Sequence, residues 1–393
     1  MSSCSSTAAP PSVADSHNSS RCHRNDELPY EILREIFSYI SHGHILHLRH
    51  LLFVCRSWSL VILQAAGLWS SIRIDYELYQ YFGKSRPGRG FIYARAENFV
   101  SLCVSRSRSH PLSIILDFSP FRTWSHVAIQ SIRWEVVPLL VILVGRLDQH
   151  ALRWHSLEWN SLFHVSEIIS ILPSRLPQLK YLRLYSFEWD RGNELIFPRC
   201  PNLEVVELHE HRKYKRQIFS ECDSPNVKEL LVESKWDWGL EDLRYIASFR
   251  SILRLTLSSS LSGAYFEIKA PEKIHLPQLK ELRLKGCIHL HVVGLLGAPS
   301  LNKVEFDHNE SITSILSHLV STSIETITAL IPPPGSVAPR MMIAAALTHL
   351  VISLHGLRFL RVKRWIHDVM KTSDCPLDTS GVLKHAIHLS IEA

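Results

Sequence analysis

Eight cysteines stand in 393 residues, at 4, 22, 55, 103, 200, 222, 287 and 375, without one C-x-x-C pair. A chain of this size needs no disulfide staples, so the pattern fits a reducing compartment: cytoplasm, nucleus or both. Long hydrophobic runs are missing too. The longest aliphatic stretch, Val136 to Val144, is nine residues interrupted by Pro138, against the roughly 20 that a membrane span needs. It reads as core, and no membrane partner is expected. No basic, apolar leader opens the sequence, which sets secretion aside. Charge of one sign is also scarce. Forty-three basic and 37 acidic residues, mixed along the chain, leave a formal net charge of +6, too small to name nucleic acid as a partner. G-x-S-x-G, H-E-x-x-H and G-x-G-x-x-G are absent, so catalysis has no visible carrier and no cofactor is implied. The "GKS" at 83–85 has Leu78, not glycine, five residues before Gly83, and it is no phosphate loop.

What is present begins after a Ser-rich stretch. Residues 1–26 hold few apolar groups to offset the entropy of ordering and read as a disordered tail. In "NDELPYEILREIFSYI", Asn25 or Asp26 can cap a helix, Pro29 suits its first turn, and Ile32, Leu33, Ile36, Phe37 and Ile40 recur at helical spacing. The following "ILHLRHLLFVCRSWSLVILQAAGLWSSIRI" adds more apolar surface than one small helix hides. About 45 residues make a marginal core, so a partner or the rest of the chain must cover the remainder.

"LPYEILREIF", "VCRSW" and "LWSSIRI", in that order between Leu28 and Ile74, resemble an F-box. The resemblance implies three short helices that dock on a Skp-type adaptor and, through it, a cullin-based ubiquitin ligase. It places Leu28, Pro29, Ile32, Leu33, Ile36, Phe37, Val54, Cys55 and Trp58 in the adaptor interface or the core just behind it. The same residues also suit a plain helical core.

"LPQLKYLRL" at 176–184 returns as "LPQLKELRL" at 276–284. Its L-x-x-L-x-L spacing recurs as Trp154-Leu157-Trp159, Leu179-Leu182-Leu184, Leu203-Val206-Leu208, Val227-Leu230-Val232, Ile252-Leu255-Leu257, Leu279-Leu282-Leu284, Leu301-Val304-Phe306 and Ile324-Ile327-Ala329. A weaker ninth copy is Leu347-Leu350-Ile352. First positions are 25, 24, 24, 25, 27, 22, 23 and 23 residues apart, the period of a leucine-rich repeat. One such copy cannot bury its apolar face alone, whereas stacked copies share hydrogen bonds and cover each other. The expectation is an α/β chain: a three-helix F-box at 27–74, an irregular linking region at 75–149, and a solenoid with a curved parallel sheet over 150–355. A helical cap or poorly ordered tail follows at 356–393. "RSHPLSIILDF" can add an irregular strand at Leu112 to Leu116. "VSEIISIL", "LEDLRYIAS", "HLHVVGLL" and "ITSILSHL" carry helical spacing for the outer layer. The repeat family's turn-holding Asn or Cys is present only as Cys287 and Asn309, so most turns must be held otherwise. This arrangement resembles the large F-box families of mushroom-forming fungi.

Between the strand leucines, outward residues form a ladder suited to a protein target. Tyr181, Arg183 and Tyr185 open it, Glu207, Glu229 and Glu233 make it acidic, and Arg283 and Lys285 make it basic, so charge complementarity would select the partner. Trp189, Trp236 and Trp238, in loops after strands, are hot-spot candidates that equally suit caps on the repeat core. His44, His47 and His50 lack a matching carboxylate or thiolate, and no metal site is expected. "HRKYKR" at 211–216 reads as a loop of solvated charge. Two functions remain: a substrate receptor of a ubiquitin ligase, or a repeat scaffold acting outside one.

Overall fold

The leucines of the repeat are buried in sets, and the residues between them are not. Leu182 and Leu184, Leu255 and Leu257, and Val304 and Phe306 are all buried, while Arg183, Thr256 and Glu305 stay half-exposed. That is the alternation of strands whose inner face meets a core. The computed structural model describes residues 28–43, 45–83, 89–118, 126–160, 171–185, 197–211, 226–234, 240–259, 274–286, 296–306, 326–329, 359–363 and 388–392.

Three helices open the chain: α1 (Tyr30–Gly43), α2 (Leu46–Leu51) and α3 (Arg56–Gln64), followed by a 3-10 turn at Ala66–Trp69. Then come β1 (Ser71–Asp75), α4 (Tyr76–Gly83), α5 (Arg89–Arg106), β2 (Leu112–Asp117), α6 (His126–Asp148) and β3 (Trp154–Asn160). The repeat strands are β4 (Tyr181–Tyr185), β5 (Val205–His211), β6 (Glu229–Ser234), β7 (Arg254–Ser259), β9 (Glu281–Gly286), β11 (Lys303–Phe306) and β12 (Thr326–Ala329), with helix α7 (Leu240–Ser248) before β7. Strands β13 (Phe359–Lys363) and β14 (His388–Glu392) end the series. Two short strands, β8 (Ile274–His275) and β10 (Leu296–Gly297), pair with each other. The other twelve form one parallel sheet in chain order.

The sheet therefore extends past the 150–355 assigned from periodicity. Strand β2 lies where the apolar pattern of 112–116 placed it, but β1 and β2 are full neighbours, paired from Ser71↔Ser113 to Asp75↔Asp117. The region 75–149 thus supplies α4, α5, β2 and α6 rather than an irregular link. The weaker ninth copy at 347–352 lies outside the described residues, and the strand beside β12 is β13, with Thr326 opposite Phe359. Residues 356–393, expected as a helical cap or a poorly ordered tail, contain that strand.

Turns are held by proline and by the neighbouring repeat. In Leu176-Pro177-Gln178-Leu179 the Leu179 N–H donates to the Leu176 carbonyl at 3.2 Å, and Leu279 to Leu276 does the same at 3.2 Å. Proline suits the second position of such a turn. One repeat on, Asn202 Nδ2 donates to the Pro177 carbonyl at 2.7 Å and the Ser300 hydroxyl to the Pro277 carbonyl at 2.7 Å. At the entries of β5, β6, β7, β9 and β11 one carbonyl accepts twice, as Lys180 does from Glu204 and Val205, both at 2.9 Å. This is how the turns stand without the missing asparagines. Of the outer-layer segments, "LEDLRYIAS" is α7; 165–170, 289–295 and 312–319 lie outside the described residues.

One apolar core runs from Leu33 to Phe306 without a break. Two tryptophans close helix ends within it: Trp69 Nε1–H donates to the Ile62 carbonyl at 2.8 Å, and Trp154 Nε1–H to the Leu147 carbonyl at 3.1 Å.

Candidate protein-docking surfaces

Helix α1 has two apolar faces. Leu33 and Phe37 are 1% and 0% exposed and point into the core, whereas Ile32, Ile36 and Tyr39 fall on a flanking stripe, about a third of a turn round the helix, and face solvent, Tyr39 at 72%. The helix begins at Tyr30, with Leu33 N–H donating to the Pro29 carbonyl at 3.1 Å; residues 25 and 26, read as its cap, lie outside the described residues. Phe37 meets Trp58 of α3 edge-to-face at 5.1 Å between ring centroids. The Ser59 hydroxyl donates to the Leu52 carbonyl, fixing α3 against the end of α2. Phe53 and Val54, between those helices, and Leu60 on α3 are further exposed apolar side chains, Phe53 at 79%. Isoleucine and tyrosine are thus left in water along one helical stripe.

The second surface is the open face of the sheet, where parallel register stacks equivalent positions. One row reads Glu158, Arg183, Glu207, Leu231, Thr256, Arg283, Glu305; another reads Tyr181, Val205, Glu229, Arg254, Glu281, Lys303. Opposite charges become neighbours one strand apart. Arg183 donates to Glu207 at 2.5 Å and lies 3.6 Å from Glu158, Arg254 meets Glu229 at 2.8 Å, Arg283 meets Glu305 at 3.3 Å, and Lys303 lies 3.6 Å from Glu281. Tyr181 and Tyr185 flank the Arg183 guanidinium, 5.4 and 5.9 Å from their ring centroids. Tyr185 stacks on His209 at 4.3 Å. His209 bridges two carboxylates, Nδ1 to Glu233 at 2.8 Å and Nε2 to Glu207 at 3.3 Å. Burial alone would raise the Glu207 pKa, but hydrogen bonds from His209, Arg183 and Tyr181 hold it down at about 2.

Residues 25–75 match the F-box-like family. The chain carries an F-box-like domain. Among solved structures, an internalin from Listeria monocytogenes aligns over 64% of this chain and 72% of its own, with 13% identity and a TM-score of 0.29. No curated protein matches the chain.

The F-box-like domain divides the nine residues singled out from sequence. Leu28, Pro29, Ile32, Ile36 and Val54 are exposed; Leu33 and Phe37 are core; Cys55 and Trp58 are half-buried. Trp58 Nε1 is buried without a hydrogen-bond partner. Sequence reasoning missed Tyr39, Phe53 and Leu60, although Tyr39 stands seven residues after Ile32, on the same helical face. On the sheet, Tyr181, Arg183, Tyr185, Glu207, Glu229, Glu233, Arg283 and Lys285 all lie in strands and remain half-exposed. Their expected role changes, because Glu207, Glu229, Glu233 and Arg283 spend their charges on neighbouring strands. Lys285 makes no ion pair among the described residues. Charge complementarity alone therefore has little left to select with. Trp189, Trp236 and Trp238 lie outside the described residues.

Other chemistry finds little support. His47 and His50 are exposed on α2, and His44 lies outside the described residues. Among the described residues no group of three or more His, Cys, Asp or Glu is placed to hold a metal, and no helix is long and apolar enough to cross a membrane. Burial raises the Cys103 thiol and pushes Cys200 up to about 12, so neither is a ready nucleophile at neutral pH.

Proposed function

We propose that the chain is the substrate-recognition subunit of a Skp-cullin-F-box ubiquitin ligase, acting in the cytoplasm or nucleus. The exposed stripe of Ile32, Ile36 and Tyr39, with Leu28, Phe53 and Val54, receives a Skp-type adaptor, and the open face of the sheet holds a protein target. The observation that carries the reading is that stripe: an F-box-like domain that leaves branched apolar side chains in water while its other face is fully packed. On the sheet, Leu231 and Thr256 lie side by side between paired charges, with Tyr181, Arg183 and Tyr185 two strands away. An uncharged centre with a polar rim is the usual anatomy of a binding patch, and Tyr and Arg are enriched among its strongest contributors. The work done is proximity. Holding a target beside a ubiquitin-charged enzyme raises the local concentration of reactants without bond chemistry in this chain.

Co-purification from native cells tests this. Recovery of adaptor and cullin, lost on Ile32→Glu plus Ile36→Glu with the thermal midpoint unchanged, supports the ligase role. Recovery of target proteins with neither subunit would favour a scaffold outside the ligase.

A further inference from the structure

A cleft of about 590 Å³ opens where the C-terminal ends of α5 and α6 meet. Arg108, Arg146, His150 and Arg153 line it with Ser101 and Ser105, and no carboxylate is among its lining residues. Helix C-termini carry partial negative charge, so basic residues gather there for structural reasons. Two of these arginines are used that way. Arg153 donates to the His110 carbonyl at 2.9 Å, the Val104 carbonyl at 3.5 Å and the Ser107 hydroxyl at 2.7 Å, and Arg146 pairs with Glu97 at the rim.

Arg108 is different. It is exposed and makes no side-chain hydrogen bond or ion pair among the described residues. Its φ is 51°, the one positive value at a non-glycine residue among those described. It follows α5, its N–H on the Ser105 carbonyl at 3.3 Å, at the left-handed position that glycine fills most readily. An L side chain there is strained, and among the described residues nothing uses this guanidinium in return.

We propose that this cleft binds a small molecule carrying two or more phosphate groups, with Arg108 as its principal free ligand. The volume lies in the range of small-ligand pockets and is larger than a single phosphate group fills; with Glu97 offsetting Arg146, Arg108 and Arg153 are left to meet the anion. Burial and the Arg153 charge lower the His150 pKa, as expected in a positive cleft awaiting an anion. The proposal is independent of the adaptor reading, since it rests on α5 and α6 alone.

The test is calorimetric titration of the full chain with inorganic tripolyphosphate, alongside NMR titration of His150. Saturable one-to-one binding is expected, at least tenfold tighter than sulfate, with the His150 titration moved upward. Arg108→Gly removes the left-handed strain, so it should fold at least as stably while binding at least tenfold more weakly; Arg108→Lys should keep most of the affinity. Absence of saturable binding, or an Arg108→Gly variant that binds as the natural chain does, overturns the proposal. So does a phosphoserine peptide that outcompetes tripolyphosphate, since the phosphate would then belong to a protein partner.

Discussion

His209 touches two carboxylates with two ring nitrogens, and a carboxylate only accepts, so both contacts are satisfied only by the imidazolium. Burial works against that charge, but the hydrogen bonds to Glu207 and Glu233 outweigh it and raise the pKa above 6.5. The sign follows from linkage. The stabilisation is fully present below the unfolded histidine value of about 6.5 and is lost as pH rises through the higher folded value. Glu207, held at about 2 against an ordinary 4.5, contributes above the ordinary value and loses that contribution as pH falls towards 2. The thermal midpoint of the natural chain should therefore fall relative to His209→Gln between neutral and mildly alkaline pH; parallel profiles would remove the bridge from the stability account. Trp58 allows a second residue-scale check. Its ring packs on Phe37 while its N–H is buried unpaired, so Trp58→Phe should change stability by less than about 1 kcal/mol, against about 2–3 kcal/mol for Trp58→Ala, measured by urea unfolding.

Helix α1 separates packing from docking within one element, and its two faces should respond oppositely. Phe37→Ala opens a cavity in a fully buried site and should cost about 3–5 kcal/mol, whereas glutamates at Ile32 and Ile36 should leave urea midpoints within about 0.5 kcal/mol and abolish adaptor capture. Loss of stability in the second variant would make the stripe part of the core. The strand elements were legible from sequence because a parallel stack demands apolar pairs at a constant phase, and eight triplets between 154 and 329 keep it. Four strands of the main sheet, β1, β2, β13 and β14, fall outside that phase, and the spacing shows why for the first three. The 18-residue α5 and 23-residue α6 separate β1, β2 and β3 by 41 and 42 residues (71 to 112 to 154), so the count of about 24 skips them. Between β12 and β13 the start-to-start distance is 33 residues (326 to 359), and the triplet at 347, which satisfies the same spacing, lies outside the described residues. The two docking surfaces were legible as residue types but not as charge. Side chains on one strand face say nothing of the pairing that register imposes, and only in register does Arg183 find Glu207, or Arg254 find Glu229.

At the scale of the whole molecule, the F-box-like domain is the cap of the sheet's first edge. A parallel stack exposes its backbone and its apolar inner face at each end, and terminal units must cover them. Here Leu68 and Trp69 of the 3-10 turn, with Phe37, Ile62 and Leu48 behind them, belong to the same core as Ile72, Ile74 and Leu78 of the first sheet unit. A domain that shares its core in this way cannot unfold by itself. Urea denaturation followed separately by a probe placed on α3 and by one placed on β7 should give coincident transitions across the F-box-like domain and the repeats. A chain beginning at residue 71 should bind a hydrophobic dye and self-associate on size-exclusion chromatography, because Ile72 and Ile74, both 0% exposed, would lose their cover along with the β1 edge. A monomeric, dye-silent truncated chain with an unchanged midpoint would mean that the helices merely lean on the solenoid. Under the proposed function the coupling would have a consequence: an adaptor on the outer stripe of α1 would be held in fixed register, through Phe37 and the shared core, with a target on the open face several strands away.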